Sequence, residues 1–158
     1  MGFQSTKIFD NYSVALRQHK AQHSHCKLLH GYALEFKVIF EPVNPNDING
    51  GLDDMNWVVD FGGFKDAPNG NGLKSWMNDM FDHTTLIEKD DPYLDLFQTM
   101  QMEGLLKLQI MDKMGAESLA KLVFDKFNER LSKTDGARCK VVSVECNENK
   151  INSAIYYE

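Results

Sequence analysis

A cysteine and a histidine lie four residues apart, just ahead of a stretch with the pattern of a strand. They are Cys26 and His30, in the segment HCKLLHGY at residues 25–32. A cysteine whose thiolate is stabilised can take a proton from a substrate carbon. A histidine can carry a proton near neutral pH or bind a metal ion. The segment therefore predicts acid–base chemistry or a metal site where the strand begins.

Two other polar positions suit the same kind of chemistry. Asp82 directly precedes His83, and a carboxylate beside an imidazole can orient it and stabilise its charge, which gives a second proton carrier. Glu148 follows an alternating run, and its two carboxylate oxygens can accept hydrogen bonds from a paired donor edge of a ligand. Glu145 lies an odd number of positions away and is expected to face the other side of the strand.

The pattern after Cys26 predicts the element that holds His30. Apolar side chains alternate with mostly polar ones over residues 32–40, which is the period of a half-buried strand. His30 lies two positions before Tyr32, so both side chains are expected on the same side of that strand. The apolar positions of the run are Tyr32, Leu34, Phe36, Val38 and Phe40.

The rest of the chain predicts an α+β domain. Four antiparallel strands with two longer helices on one face, and a short helix inserted between them, satisfy the pattern. Apolar spacing and turn residues predict further strands at residues 7–16, 56–61, 105–111, 140–146 and 154–157. Helical spacing, with Pro92 as a helix start, predicts helices at residues 73–80, 92–100 and 117–131.

Composition restricts the class of protein. The 158 residues are 42% hydrophobic and 25% charged, which fits one globular domain over residues 1–158. A net charge of -6 argues against sequence-independent binding to nucleic acid, which needs a basic face. The three cysteines form no CxxC pair, and no apolar run approaches the length of a membrane span. We therefore expect a cytoplasmic protein with reduced cysteines and no membrane partner.

The order of these residues resembles a known enzyme family. Cys26, three intervening residues and then His30-Gly31 entering a strand resemble the pterin synthases that include 6-pyruvoyl- and 6-carboxytetrahydropterin synthase. The segments Asp60-Phe61 and Asp82-His83 and the residues Glu117 and Glu148 follow in the family's order. The resemblance implies the tunnelling fold, whose subunits join edge to edge into a β-barrel with active sites at their interfaces. It thus implies a homo-oligomer, either trimer-based and possibly a hexamer, or a tetramer.

The same resemblance implies roles for single residues. Cys26 would be the base that removes a proton, Asp82 and His83 a proton relay, and Glu148 the anchor of the pterin, with Glu117 also at the binding site. The activity implied is that of a 6-carboxytetrahydropterin synthase, a lyase that converts 7,8-dihydroneopterin triphosphate on the way to queuosine. Two alternatives stay open: a related lyase or isomerase with a different pterin substrate, and a pterin- or purine-binding protein without catalysis.

The metal site is where this chain departs from the family's pattern. Of the family's three zinc histidines only His30 is present, because Leu16 and Tyr32 take the places of the other two. Leucine has no atom that binds zinc, and a neutral tyrosine is a poor substitute for imidazole. We therefore expect the usual zinc site to be absent. A replacement site would combine His30 with His19, His23 or His25.

Overall fold

A six-stranded sheet forms the centre of the molecule. The computed structural model describes residues 2–66, 68, 70–134 and 137–158. The strands are β1 (Ser5–Leu16), β2 (His30–Pro42), β3 (Thr84–Glu88), β4 (Leu108–Met111), β5 (Cys139–Asn147) and β6 (Ser153–Tyr157). The helices are α1 (Leu73–Phe81), α2 (Leu94–Met102) and α3 (Ala116–Lys133), and short 3-10 helices cover His25–Lys27 and Phe61–Phe64.

The sheet has six strands, whereas the sequence predicted a four-stranded antiparallel sheet and a further edge strand at residues 105–111. Its order is β4-β3-β1-β2-β5-β6. The predicted antiparallel set is present as β1, β2, β5 and β6, and β3 and β4 extend it with parallel pairing next to β1. All five residues of β3 are buried, so this strand has no alternation of polar and apolar side chains. A search for a period of two cannot find a strand that is covered on both faces.

The strand predicted at residues 56–61 is wrong. This part of the chain forms bends and then the 3-10 helix that begins at residue 61. The Asp53 carboxylate accepts a hydrogen bond from the Trp57 N–H at 2.8 Å, and the Asp60 carboxylate accepts one from the Gly62 N–H at 2.7 Å. Such local side-chain bonds offer the backbone an alternative to a sheet ladder.

A bulge in β1 explains its irregular sequence pattern. The pairing of β1 with β2 shifts between Phe9 and Tyr12, and Asn11 has a φ of 63°. Phe9 and Tyr12 are three positions apart, yet both are buried in the core. The extra residue of a bulge lets two such side chains face the same side of a sheet.

Helices cover both faces of the sheet, in different places. The main core lies between the sheet and the helices α1 and α3, and Phe36 at its centre stacks 4.7 Å from Phe81 between ring centroids. Along β3, Leu86 belongs to this core, whereas Ile87 packs with Phe97 of α2 in a second cluster. Neighbouring strand residues point to opposite faces, so α2 covers the other face at the β3–β4 end. None of the helices in the described ranges is long and apolar enough to cross a membrane.

Replacing Phe36 with alanine tests the main core. Phe36 is fully buried and contacts the rings of Tyr12 and Phe81. We expect Phe36→Ala to lower the free energy of unfolding by about 3–5 kcal/mol, because a large cavity remains. Urea unfolding followed by circular dichroism measures this. Lys37→Ala, on the opposite face of β2, is the matched control and should change stability by less than about 0.5 kcal/mol.

Candidate active site at one corner of the sheet

The pairing of β1 with β2 brings the predicted strand residues to one corner of the sheet. Leu16 is the register partner of His30, and Val14 is the partner of Tyr32. The rings of His30 and Tyr32 meet edge to face, with centroids 5.1 Å apart. The Nδ1 atom of His30 lies 2.7 Å from the Leu28 carbonyl oxygen. A carbonyl oxygen only accepts, so Nδ1 carries a hydrogen and Nε2 of the neutral ring is the nitrogen left for a ligand.

Two carboxylates reach the same corner from other elements. Glu148 follows the last residue of β5, and Glu117 lies in the first turn of α3. Burial and the nearby Glu117 carboxylate raise the pKa of Glu148, while His30 lowers it. Burial, with Glu148 and Glu117 as further causes, raises the pKa of the Cys146 thiol to about 12. The corner therefore concentrates negative charge in a half-buried place that favours a ligand with several donor groups.

Cys26 approaches this corner from the loop between β1 and β2. It lies in the short 3-10 helix His25–Lys27 and is half-buried. Burial raises the pKa of the Tyr32 hydroxyl, and the charges of Glu148 and of Cys26 raise it further. These electrostatic interactions indicate that the Cys26 thiol and the Glu148 carboxylate both lie near the Tyr32 hydroxyl. Cys26, His30, Tyr32, Glu117 and Glu148 together form what we call the corner site.

Asp82 and His83, the pair predicted to act as a proton relay, contact each other outside the corner site. His83 Nδ1 lies 2.8 Å from the Asp82 carboxylate, between the end of α1 and the start of β3. The side chains are 84% and 46% exposed for His83 and Asp82. Within the described residues of one chain, no hydrogen bond or ion pair connects this pair with the corner site.

The Asp82 carboxylate has its own buried neighbour. Burial, then the charges of Asp82 and Asp10, raise the pKa of the Tyr12 hydroxyl to about 12. This hydroxyl donates to the Asn78 amide oxygen at 3.3 Å. Tyr12 is therefore a neutral hydrogen-bonding group at neutral pH and supports the end of α1 from which Asp82 projects.

Of the three positions that the sequence analysis linked to zinc, Leu16, His30 and Tyr32, His30 is the one with an imidazole. Leu16 is 4% exposed and packs in the core without a donor atom. The raised pKa of Tyr32 keeps its hydroxyl protonated, and a protonated phenol binds zinc poorly. His30 is then the remaining imidazole at the predicted ligand positions, and one imidazole does not hold zinc with useful affinity.

The loop histidine His19 faces a different set of residues. Its ring nitrogens lie 3.7 Å from a Glu88 oxygen and 3.8 Å from an Asp90 oxygen, at the turn after β3. These three side chains are close enough to hold a metal ion. The ammonium group of Lys20, however, lies 2.7 Å from an oxygen of each carboxylate. Lys20 thus already provides the cation in this cluster.

Gln18 is a residue that sequence reasoning did not single out. Its backbone N–H donates to the Cys26 carbonyl at 2.8 Å. Gly115, just before α3, has a φ of 117° and no side chain. A Cβ atom added at Gly115 would lie 3.1 Å from the side-chain nitrogen of Gln18. Gln18 therefore contacts both the Cys26 loop and the start of the helix that carries Glu117. No periodicity or motif marks such a contact, because it depends on how a loop closes.

Restoring the missing histidines tests the statement about zinc. We expect the wild-type protein, purified without added chelator, to contain less than about a tenth of an equivalent of zinc, and the double variant Leu16→His with Tyr32→His to gain about one equivalent. Elemental analysis by mass spectrometry measures both. The single variants are the controls, since two imidazoles bind more weakly than three. One equivalent of zinc in the wild-type protein that is lost in His30→Ala would contradict the assignment.

Comparison with known proteins places the fold among pterin synthases. The family profile described as "6-pyruvoyl tetrahydropterin synthase" matches residues 6–158. No curated protein matches the chain significantly. An uncharacterised protein from Wolinella succinogenes has a similar structure, with a TM-score of 0.76 and 19% identity over 99% of this chain and 98% of that one.

Two solved structures of pterin synthases are also similar. The 6-pyruvoyl tetrahydropterin synthase of Caenorhabditis elegans has a TM-score of 0.60 and 18% identity over 99% of this chain and 95% of that one. The enzyme of the same description from Plasmodium vivax has a TM-score of 0.62 and 11% identity over 99% and 98% of the two chains. These identities show a common fold, and the profile match covers nearly the whole sequence: the chain belongs to the 6-pyruvoyl tetrahydropterin synthase family.

Proposed function

We propose that the protein is a lyase that converts 7,8-dihydroneopterin triphosphate to 6-carboxytetrahydropterin, as in the route to queuosine. The observation that carries the proposal is the corner site, where Cys26 lies within electrostatic reach of Tyr32 and Glu148, and Glu148 within reach of Glu117 and His30. The reaction first needs a base that removes a proton from carbon and a carboxylate that anchors the pterin ring. Family membership supports a pterin as the substrate class.

The anchor follows from the chemistry of the pterin ring. Its 2-amino group and N3–H form a paired donor edge, and the two oxygens of Glu148 can accept both hydrogen bonds. The raised pKa of Glu148 shows that its carboxylate is poorly solvated and repelled by Glu117. Donors from a ligand relieve that cost, so the part of the site at Glu148 suits the neutral pterin ring, with its N–H groups, better than an anionic group.

The acid–base chemistry divides between two parts of the fold. Cys26 removes a proton from the substrate side chain, and as the side chain is cleaved one water is consumed and triphosphate and acetaldehyde leave. A second proton carrier is supplied by Asp82 and His83, whose exposed position suits a contact between subunits. The proposal therefore includes a homo-oligomer, trimer-based or tetrameric, that places this pair of one copy beside Cys26 of another. The edge strands β4 and β6 have unpaired ladder groups through which copies can join into a barrel.

We further propose that this site works without zinc. The Tyr32 hydroxyl, held protonated by its raised pKa, donates a hydrogen bond to an oxygen of the substrate side chain. His30 beside it presents Nε2 to the same region. In the alternative function, a related lyase or isomerase acting on a pterin with a different side chain, these two groups would select that side chain, because they replace a metal ion with directional hydrogen bonds.

A second candidate function is binding of a pterin or purine without turnover. The observation that favours it is the buried Leu16 at a position where the family has a zinc ligand. The two functions share the anchor Glu148 and differ in whether Cys26 performs chemistry. Product analysis separates them.

Incubation with substrate tests the activity directly. We expect purified protein with 7,8-dihydroneopterin triphosphate to form 6-carboxytetrahydropterin, identified by mass spectrometry. Cys26→Ala should lower turnover by at least about a thousandfold and leave the dissociation constant of the pterin within about threefold, because the thiol acts in proton transfer. Unchanged turnover in this variant would remove Cys26 from the mechanism. Bound, unconverted pterin in the wild-type protein would instead support the binding function.

The anchor Glu148 has a matched control three residues earlier in the chain, in β5. Glu145 accepts a hydrogen bond from the Ser153 hydroxyl at 2.7 Å and is not part of the corner site. We expect Glu148→Gln to weaken pterin binding by about 10–100-fold, since charge-assisted hydrogen bonds are lost. Glu145→Gln should leave the affinity within about twofold. Equal effects of the two variants, measured by titration calorimetry, would show that Glu148 is not the anchor.

The raised pKa of Glu148 also predicts a pH dependence of pterin binding. Only the ionised carboxylate accepts both hydrogen bonds, so affinity should be constant above the raised pKa and fall as the pH drops through it. Glu117→Gln removes a repelling charge and should move this fall to lower pH. A fall that does not move in this variant would mean that another group controls it.

A further inference from the structure

The loop that carries Cys26 is closed at its base by a single backbone hydrogen bond. The Gln18 N–H donates to the Cys26 carbonyl at 2.8 Å, which brings the two ends of residues 18–26 together. Inside the loop, the Gln22 side chain donates to the His19 carbonyl at 2.6 Å, and the Ser24 hydroxyl accepts from the Cys26 N–H at 3.1 Å. The loop is a compact surface loop whose ends lie close together. Its shape follows from these local bonds, but its place on the molecule depends on what holds Gln18.

Residues on both sides of Gln18 form ion pairs with the turn after β3. Arg17 Nε lies 3.0 Å from an oxygen of Asp91, whose side chain is fully buried. Lys20 Nζ lies 2.7 Å from both Glu88 and Asp90. The guanidinium group of Arg17 also lies 5.3 Å from the centre of the Tyr93 ring in the same turn.

His19 completes this contact between the loop and the turn. Its side chain is 11% exposed and faces carboxylates of Glu88, Asp90 and Asp91 at 3.7–3.8 Å. These distances are too long for direct hydrogen bonds. The contribution of His19 is therefore packing and electrostatic, and the direct contacts are those of Arg17 and Lys20. We call Glu88, Asp90 and Asp91 the carboxylate cluster.

The carboxylate cluster is part of neither the substrate anchor nor the proton relay. Asp91 also accepts a hydrogen bond from the Tyr93 N–H at 2.9 Å, so its carboxylate is fixed by the turn that starts α2. Its contact with Arg17 is an ion pair in which neither Arg17 Nε nor Asp91 Oδ2 makes a hydrogen bond, so Asp91 holds the loop through charge from a fixed position. The path from Asp91 to the thiol runs through Arg17, the backbone of Gln18 and the carbonyl of Cys26.

We propose that the carboxylate cluster, with Asp91 as its fixed member, positions the Cys26 thiol in the corner site. The inference rests on the proposed role of Cys26 and adds residues that act through it. Asp91 is a positioning residue, because it touches neither the substrate nor the thiol. The expected consequence is that its loss changes the geometry and accessibility of Cys26 while the pterin anchor stays intact.

The first test measures the thiol without any substrate. Cys139 and Cys146 are 3% and 0% exposed, so iodoacetamide should react mainly with Cys26 in the folded protein. We expect Asp91→Asn to raise the rate of Cys26 alkylation by about fivefold or more, because the loop opens when its base is released. Peptide mass spectrometry assigns the modified residue. This readout is independent of whether the protein has the proposed activity.

The second test measures catalysis in the same variant. We expect kcat of Asp91→Asn to fall by at least about tenfold, with KM for the pterin changed by less than about twofold, because the base is misplaced while Glu148 still binds the ring. If the protein proves inactive on this substrate, the alkylation rate alone decides the proposal. A fall in kcat together with an equal loss of pterin affinity would indicate general damage to the fold instead.

Matched variants distinguish a positioning role of Asp91 from the general effect of removing an ion pair. The Lys89–Asp112 pair is near the same end of the sheet, and its side chains are 63% and 88% exposed. Asp112→Asn should leave alkylation and kcat unchanged, since exposed pairs contribute little. Lys20→Ala removes an exposed partner of the cluster and should change alkylation in the same direction as Asp91→Asn, by about twofold.

If Asp91→Asn does not fold, the milder variant Lys20→Ala still tests the proposal. Circular dichroism and thermal unfolding establish which variants are native. Alkylation of Cys26 at the wild-type rate in every natively folded variant of Asp91 and Lys20 would overturn the proposal. Faster alkylation in Asp112→Asn as well would also overturn it, because the effect would then not be specific to the loop.

Discussion

The pairing of β1 with β2 is the constraint on which the candidate site depends. The register that sets Leu16 opposite His30 and Val14 opposite Tyr32 determines which side chains face α3. Because side chains alternate along a strand, a slip by one residue would turn His30 and Tyr32 to the other face. The buried row through Leu34, Phe36 and Val38 makes such a slip costly, because it would expose the centre of the core. The register that buries the core is therefore also the register that sets the geometry of the corner site.

Electrostatics gives the corner site its chemical character. Burial makes the Glu148 carboxylate harder to ionise, and the nearby Glu117 carboxylate adds to this rise of its pKa. The thiol of Cys146, also under the influence of these charges, is kept protonated and inert. Cys26 differs because it lies on a half-buried loop at the mouth of the site. Burial and position, more than residue type, thus separate a structural cysteine from a candidate base.

The two candidate proton carriers depend on different parts of the sheet. Cys26 is held from the turn between β3 and α2, through the ion pairs of Arg17 and Lys20. Asp82 and His83 precede β3 at its opposite end and are exposed. The strand β3 therefore supports both groups, although it contributes no side chain to the corner site. Its parallel pairing with β1 and its complete burial make it a rigid support.

Much of this protein can be predicted from local sequence patterns. The half-buried strand β2, the amphipathic helices α1 and α3, and the chemical candidates Cys26, His30 and Glu148 all follow from periodicity and residue type, because each depends on neighbours in the chain. The replacement of zinc ligands at positions 16 and 32 is likewise visible in the residue types alone.

Only the tertiary structure decided the rest. Burial on both faces removes the alternation that would mark β3, and the side-chain bonds of Asp53 and Asp60 turn an apolar run into a loop. The meeting of Glu117 with Glu148, and the attachment of Cys26 to Asp91, join residues far apart in sequence. Such contacts carry no periodic signal, because they depend on how strands, helices and loops pack in space rather than on the spacing of residues along the chain.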